Sequence, residues 1–93
     1  MAIRIEIYSK PGEGTSIAVA SQIRSLVAEL RADAGIHMIT DQALHTMNGV
    51  DQTPAVYIDG MMISNGWAPS RMEIKSALEK RMEALSPNIE GNT

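Results

Sequence analysis

The sequence predicts an α/β fold: a three-layer sandwich with one mixed sheet between helices. Two observations carry this. Short apolar runs with strand character alternate with stretches whose apolar residues recur every three or four positions, in the order β-α-β-α-β-β-α. In addition, Asp59-Gly60 stands between two apolar runs, the strongest short signal for an antiparallel hairpin. The first β-α-β stretch therefore predicts a right-handed parallel crossover, and the second half a hairpin followed by a helix.

Taken in order, Ile3, Ile5 and Ile7 alternate with Arg4, Glu6 and Tyr8, the period of a strand with one dry face. Ser9-Lys10-Pro11-Gly12-Glu13-Gly14 is a loop, and Thr15 or Ser16 is placed to cap the next helix. Ala20, Ile23, Val27, Leu30 and Ala34 then form an amphipathic stripe, so the helix is expected over about 16–34, with Gly35 as its stop. Ile36–Thr40 reads as a second strand. Asp41 caps a brief helix near 41–48 that Asn48-Gly49 ends. Pro54–Ile58 and Met61–Ser64 are the two arms of the hairpin. Ser70 and Glu73 have capping-box spacing ahead of a helix over about 70–85, with Ile74, Ala77, Leu78, Met82 and Leu85 on one side. Leu30, Val27, Ile23, Ile5, Ile7, Val56, Ile58, Ile74, Leu78 and Leu85 are the expected core. Residues 1–85 are expected to form a single domain, and 86–93, polar and containing Pro and Gly, a flexible tail.

Composition removes several classes of function. Ninety-three residues suffice for one compact domain. There is no cysteine, which excludes a disulfide framework, a thiolate nucleophile and any redox cycle on this chain's own thiols. The net charge is -3, the 8 basic residues are scattered, and aromatic residues make up 3% of the chain, so a nucleic-acid partner is not expected. No segment approaches the roughly 20 apolar residues that cross a bilayer, and the N-terminus lacks the apolar stretch of a secretory signal. No membrane association is expected, and the expected location is cytoplasmic.

The ordered elements, the loop Tyr8-Ser9-Lys10-Pro11-Gly12-Glu13-Gly14-Thr15-Ser16 and the segment Thr53-Pro54-Ala55-Val56-Tyr57-Ile58-Asp59-Gly60 resemble the small, glutaredoxin-sized thioredoxin-like proteins over roughly residues 2–85. That resemblance implies the sheet order 2-1-3-4, with the first and last helices on one face and the short one on the other. It implies a cis proline at Pro54, whose preceding backbone is free to pair with an extended peptide or glutathione. It also implies a glycine after the fourth strand, matched by Gly66. Laid over the family's K-P-G-C-x-x-C loop, Glu13 and Ser16 stand where the redox cysteines belong. A serine hydroxyl cannot form a disulfide, and a carboxylate is not a redox group, so the scaffold is kept and the chemistry lost.

The candidate binding groove implied by the resemblance comprises Glu13, Gly14, Thr15, Ser16, Thr53, Pro54, Gly66 and Trp67. Several have a plainer reading: Pro54 could simply start a strand in the ordinary trans form, and the family context puts cis ahead. A helix start binds anions readily, yet Ser16 or Thr15 as a cap and Glu13 as solvated loop explain the same residues and are preferred. Trp67 is either an interface residue or a lid on the core edge. His37, Asp41 and His45 read as separate solvated or core histidines with a capping aspartate rather than as a metal or base cluster. Most of the methionines read as core filling, and the charges of the last helix as a solvated face. No cofactor, metal or catalytic residue is expected. The reading is a non-catalytic binding or adaptor module for a peptide, protein partner or small anion. Its alternative is a glutathione-dependent enzyme in which Ser16 or Thr15 orients a thiol supplied by the substrate.

Overall fold

The computed structural model describes residues 2–86, so the expected tail lies almost wholly outside the described residues. The elements are β1 (Ile3–Tyr8), α1 (Gly14–Leu30), β2 (Ala34–Ile39), α2 (Gln42–Met47), β3 (Ala55–Ile58), β4 (Met61–Asn65) and α3 (Arg71–Leu85). The strands form one sheet in the order β2-β1-β3-β4. β1 runs parallel to β2 and antiparallel to β3, and β3 pairs antiparallel with β4. This is the expected α/β sandwich.

The period-two pattern of β1 does what it predicts. Ile3, Ile5 and Ile7 are buried on one face, where they meet Val19, Ala20, Ile23 and Leu26 of α1, Val56 and Ile58 of β3, and Ile74 and Leu78 of α3. The other face carries a smaller cluster of Tyr8, Val50 and Ala55 with Ile39 and Tyr57. His45 of α2 packs edge-on to Tyr8 there. Of the expected core, Val27, Leu30 and Leu85 are only partly buried, while Leu26 is fully enclosed.

Helix α1 is shorter than its sequence stripe suggests. It ends at Leu30 because Arg31 enters the left-handed region (φ 53°) and closes a Schellman turn. The Arg31 N–H donates to the Ala28 carbonyl at 3.2 Å, and the Ala32 N–H to the Val27 carbonyl at 3.0 Å. Gly35 is therefore no helix stop. It lies inside β2, paired with Arg4. A left-handed arginine costs about 1–2 kcal/mol, and the turn offsets this by satisfying two carbonyls that the helix end leaves open. Ala34, read as the last position of the stripe, is instead the first residue of the strand.

Thr15 and Ser16 lie inside α1 and cap nothing, whereas the capping signals at Asp41 and Ser70 hold. The Asp41 carboxylate accepts the Ala43 N–H at 2.9 Å. Ser70 and Glu73 form a complete capping box. In the hairpin turn Asp59 and Gly60 both have positive φ, at 46° and 82°, as a tight hairpin requires. Asp59 also ties three elements together. One carboxylate oxygen accepts the Arg4 N–H at 2.7 Å and the other the Arg81 Nε–H at 2.6 Å. The main-chain hydrogen bond from Arg4, followed by that from Arg81, holds its carboxyl below the ordinary value. The α3 charges are thus not simply a solvated face: Arg81 reaches the hairpin, and Arg71 and Lys75 meet Glu29 of α1 at 2.5 and 3.8 Å.

Two stability changes follow from this packing. Asp59→Ala should lower the unfolding free energy by about 2 kcal/mol, the scale of hydrogen bonds to a charged group; a urea midpoint unchanged from wild type would contradict the role given to the Asp59 contacts. Ser64 is fully buried and its hydroxyl has no hydrogen-bond partner among the described residues. Ser64→Ala should accordingly raise stability by roughly 1 kcal/mol, and a lowered midpoint would show that the hydroxyl is satisfied.

Candidate functional site

The loop between β1 and α1 and the segment before β3 meet at one end of the sheet, because β1 and β3 are adjacent strands and Tyr8 pairs with Ala55. The Thr53–Pro54 peptide bond is cis, and Pro54 is buried. The Pro54 carbonyl accepts the Gly66 N–H at 2.8 Å, which fastens the end of β4 to the start of β3. The main-chain N–H and C=O of Thr53 pair with no other backbone group among the described residues.

Glu13 is the centre of this region, and it is not the solvated loop residue that the sequence favours. It occupies the N-cap position of α1 without capping it, since its side chain accepts no hydrogen bond from the helix backbone there. Instead the carboxylate accepts the Ser16 hydroxyl on one oxygen and the Thr53 hydroxyl, at 3.0 Å, on the other. Ser16 is fully buried. Its hydroxyl is therefore spent on Glu13 rather than on capping the helix. The Ser16 hydrogen bond most strongly holds the Glu13 carboxyl below the ordinary value. Burial opposes it, and the Thr53 hydroxyl and Lys10 add to the lowering.

A groove of about 410 Å³ opens beside this carboxylate. Of the eight residues singled out in the sequence, Glu13, Thr53 and Gly66 line it. Ser16 and Pro54 are outside the lining and hydrogen-bond to two of its residues, Glu13 and Gly66 respectively. Gly14 and Thr15 are exposed in the first turn of α1 and do not line the groove. Trp67 is also outside the lining and is 50% exposed, so it does not lid the core.

Lys10, Asp51 and Gln52 enter the lining unannounced by the sequence. Gln52 has a visible structural role. Gly66 has φ +94°, and a Cβ on it would collide with the Gln52 side chain. A glycine is thus needed at 66 for its backbone angle, and the amide end of Gln52 fills the space beside it. A glycine one residue beyond an apolar strand was the available signal; its partner Gln52 had none.

The histidines do not converge. His45 is buried, with Nε2 2.7 Å from the Ile39 carbonyl oxygen, so Nε2 carries the proton. His37 is exposed on β2 beside the Arg4 guanidinium, and Asp41 is occupied in capping α2. Among the described residues no cluster of three or more His, Asp or Glu side chains is placed to hold a metal ion.

Residues 2–79 match the family model described as Thioredoxin domain. Among solved structures, the chain is similar to a point mutant of thioredoxin from Halobacterium salinarum NRC-1. The TM-score is 0.69 at 20% identity, over 91% of this chain and 78% of that one. It is also similar to thioredoxin 1 from Thermosipho africanus TCF52B, with a TM-score of 0.63 at 18% identity, over 87% of this chain and 96% of that one. No curated protein sequence is similar enough to count as a match.

The Glu13 hydrogen bonds make stability pH-dependent in a defined direction. A carboxyl whose folded pKa lies below its unfolded value contributes fully above the unfolded value and loses that contribution as pH falls through the folded one. Starting from an ordinary value of 4.5, the loss belongs to the acid range. Between neutral pH and about pH 3, wild type should lose more stability than Glu13→Gln, the remaining slope in the variant coming in part from Asp59. Urea midpoints that fall equally in both proteins would show that Glu13 does not carry this linkage.

Proposed function

The chain belongs to the thioredoxin-domain family yet holds no cysteine, and from this pairing we propose that it is a non-catalytic binding module that grips an extended peptide segment of a partner protein beside the Thr53–Pro54 bond. The observation that carries the reading is the Glu13 carboxylate, fixed between Ser16 and Thr53 where the resemblance places redox thiols. No thiolate can form there, and a carboxylate held by two hydroxyls is a recognition group. The unpaired main chain of Thr53 offers one donor and one acceptor to an extended backbone. Glu13 and Asp51 against Lys10 give the groove an acidic balance. That favours a peptide with a basic side chain over the small anion that a bare helix start would attract.

The same balance argues against the glutathione-dependent alternative, because glutathione brings carboxylates of its own. The cytoplasm remains the setting we propose; among the described residues no helix is long and apolar enough to cross a membrane.

A panel of short extended peptides differing in one basic or acidic residue tests the reading by amide shifts and by Trp67 fluorescence. Basic peptides should shift the Thr53 and Gly66 amides and bind about three- to tenfold more tightly than acidic ones at low salt, and Glu13→Gln should erase most of that preference. Glutathione should leave these amides unmoved. Insulin-disulfide reduction by the purified chain, or a glutathione shift larger than any peptide's, would overturn the proposal.

A further inference from the structure

A second groove, of about 620 Å³, lies between β4 and α3 and shares no lining residue with the first. β4 is an edge strand. Met61, Met62 and Met72, all of which line this groove, are 61%, 54% and 79% exposed. The reading of the methionines as core filler fails for these three. Exposed methionines around an apolar trough are typical of a contact surface, since the unbranched thioether adapts to a facing wall.

The charges on α3 select the occupant. Glu73 and Lys80 both line the groove. Seven residues, about two helical turns or roughly 10 Å, separate them along one face. Among the described residues Lys80 forms no ion pair, and neither does Glu73, which keeps one carboxylate oxygen beyond the one that accepts the Ser70 N–H. The midpoint between them falls at Ser76 and Ala77, both in the groove lining and both small enough to let another helix approach. Reversing α3 about that midpoint exchanges Glu73 with Lys80, Ser76 with Ala77, and Met72 with Arg81. All six of these residues line the groove, so the face is complementary to its own reversed copy, which is what an isologous two-fold contact requires. Arg81 is already held by Asp59, leaving its aliphatic stem as the surface that a facing methionine would meet.

We propose that this groove is the interface of a homodimer, in which α3 packs antiparallel to α3 of a second copy about a two-fold axis near Ser76 and Ala77. Glu73 of each copy pairs with Lys80 of the other, and the exposed methionines are buried between them. The contact is independent of the peptide reading and leaves the first groove open.

Light scattering coupled to size exclusion, over a range from micromolar to near-millimolar full-length chain, gives the test. Wild type should pass from monomer to dimer, less readily at high salt. The Lys80 side chain makes no hydrogen bond among the described residues, so Lys80→Glu leaves the fold intact. It sets two like-charge contacts across the axis and should weaken the dimer by about tenfold or more. Glu73→Lys should do the same, and an equimolar mixture of the two variants should recover association, because each then offers the charge the other lacks. Glu73→Lys also loses half of its capping box, so a label-based variant stands beside it. Ser76→Cys should be joined rapidly into dimers by a short bismaleimide, and Ser25→Cys, exposed on α1, should not. A wild type that stays monomeric throughout, a dimer indifferent to Lys80→Glu and to Met72→Glu, or equal cross-linking at positions 25 and 76 would each overturn the proposal.

Discussion

Strand β1 is hydrogen-bonded along both edges and dry along one face, and the remaining elements take their positions from it. Its three isoleucines are buried almost to the last atom, each worth roughly 1.5–3 kcal/mol of transfer free energy. A one-residue slip would turn all three toward the other face. The register with β2 and with β3 is therefore fixed by the same side chains. Helices α1 and α3 have to cover those isoleucines, which brings the two helices together and makes Glu29 available to Arg71 and Lys75. The hairpin turn is locked to the start of β1 through Asp59 and Arg4, and to α3 through Arg81. The anchoring is thus electrostatic at one end of the strand and apolar along its length.

The opposite end of β1 carries the groove. The chain leaves Tyr8 for the loop that opens α1, while β3 enters beside it from the cis Thr53–Pro54 bond. Two loops distant in sequence are brought side by side for that reason, and Glu13 joins them through one hydroxyl from each side. A carboxylate with both oxygens occupied is positioned far more narrowly than one on a free loop. Its ionised form is the one that the hydrogen bonds favour. The thioredoxin-domain scaffold thus carries a fixed negative charge in the loop that opens α1. Such a charge can orient a partner but cannot exchange a disulfide.

The charges of α3 divide into two sets. Arg71, Lys75 and Arg81 are drawn into contacts within the chain, whereas Glu73 and Lys80 face outward along one side of α3 beside three exposed methionines. The first set holds α3 to its neighbours. In the second, Glu73 gives one carboxylate oxygen to the capping box, and neither it nor Lys80 forms an ion pair among the described residues.

The sequence alone determined the element order, the hairpin at Asp59-Gly60, the caps at Asp41 and Ser70 and most of the core, because each of these rests on contacts among residues a few positions apart or on a periodicity visible in one segment. The absence of cysteine also excluded a thiol of this chain's own before any tertiary structure was in view. The sheet order and the cis proline came from resemblance to a family, not from the residues' own physics. What only the tertiary structure decided involves partners far apart in the chain. Arg31 ends α1 ahead of Gly35, because Ala34 and Gly35 pair with Ile3 and Arg4 of β1, partners about thirty residues away that no local propensity reports. Glu13 reads as solvent-exposed until Thr53, forty residues away, is placed against it. Gln52 and Gly66 likewise meet only once β4 has paired with β3. Local rules assign a residue its backbone state. Which hydroxyl a carboxylate receives is set by the packing of β1 between its two neighbours, and no window of the sequence contains that packing.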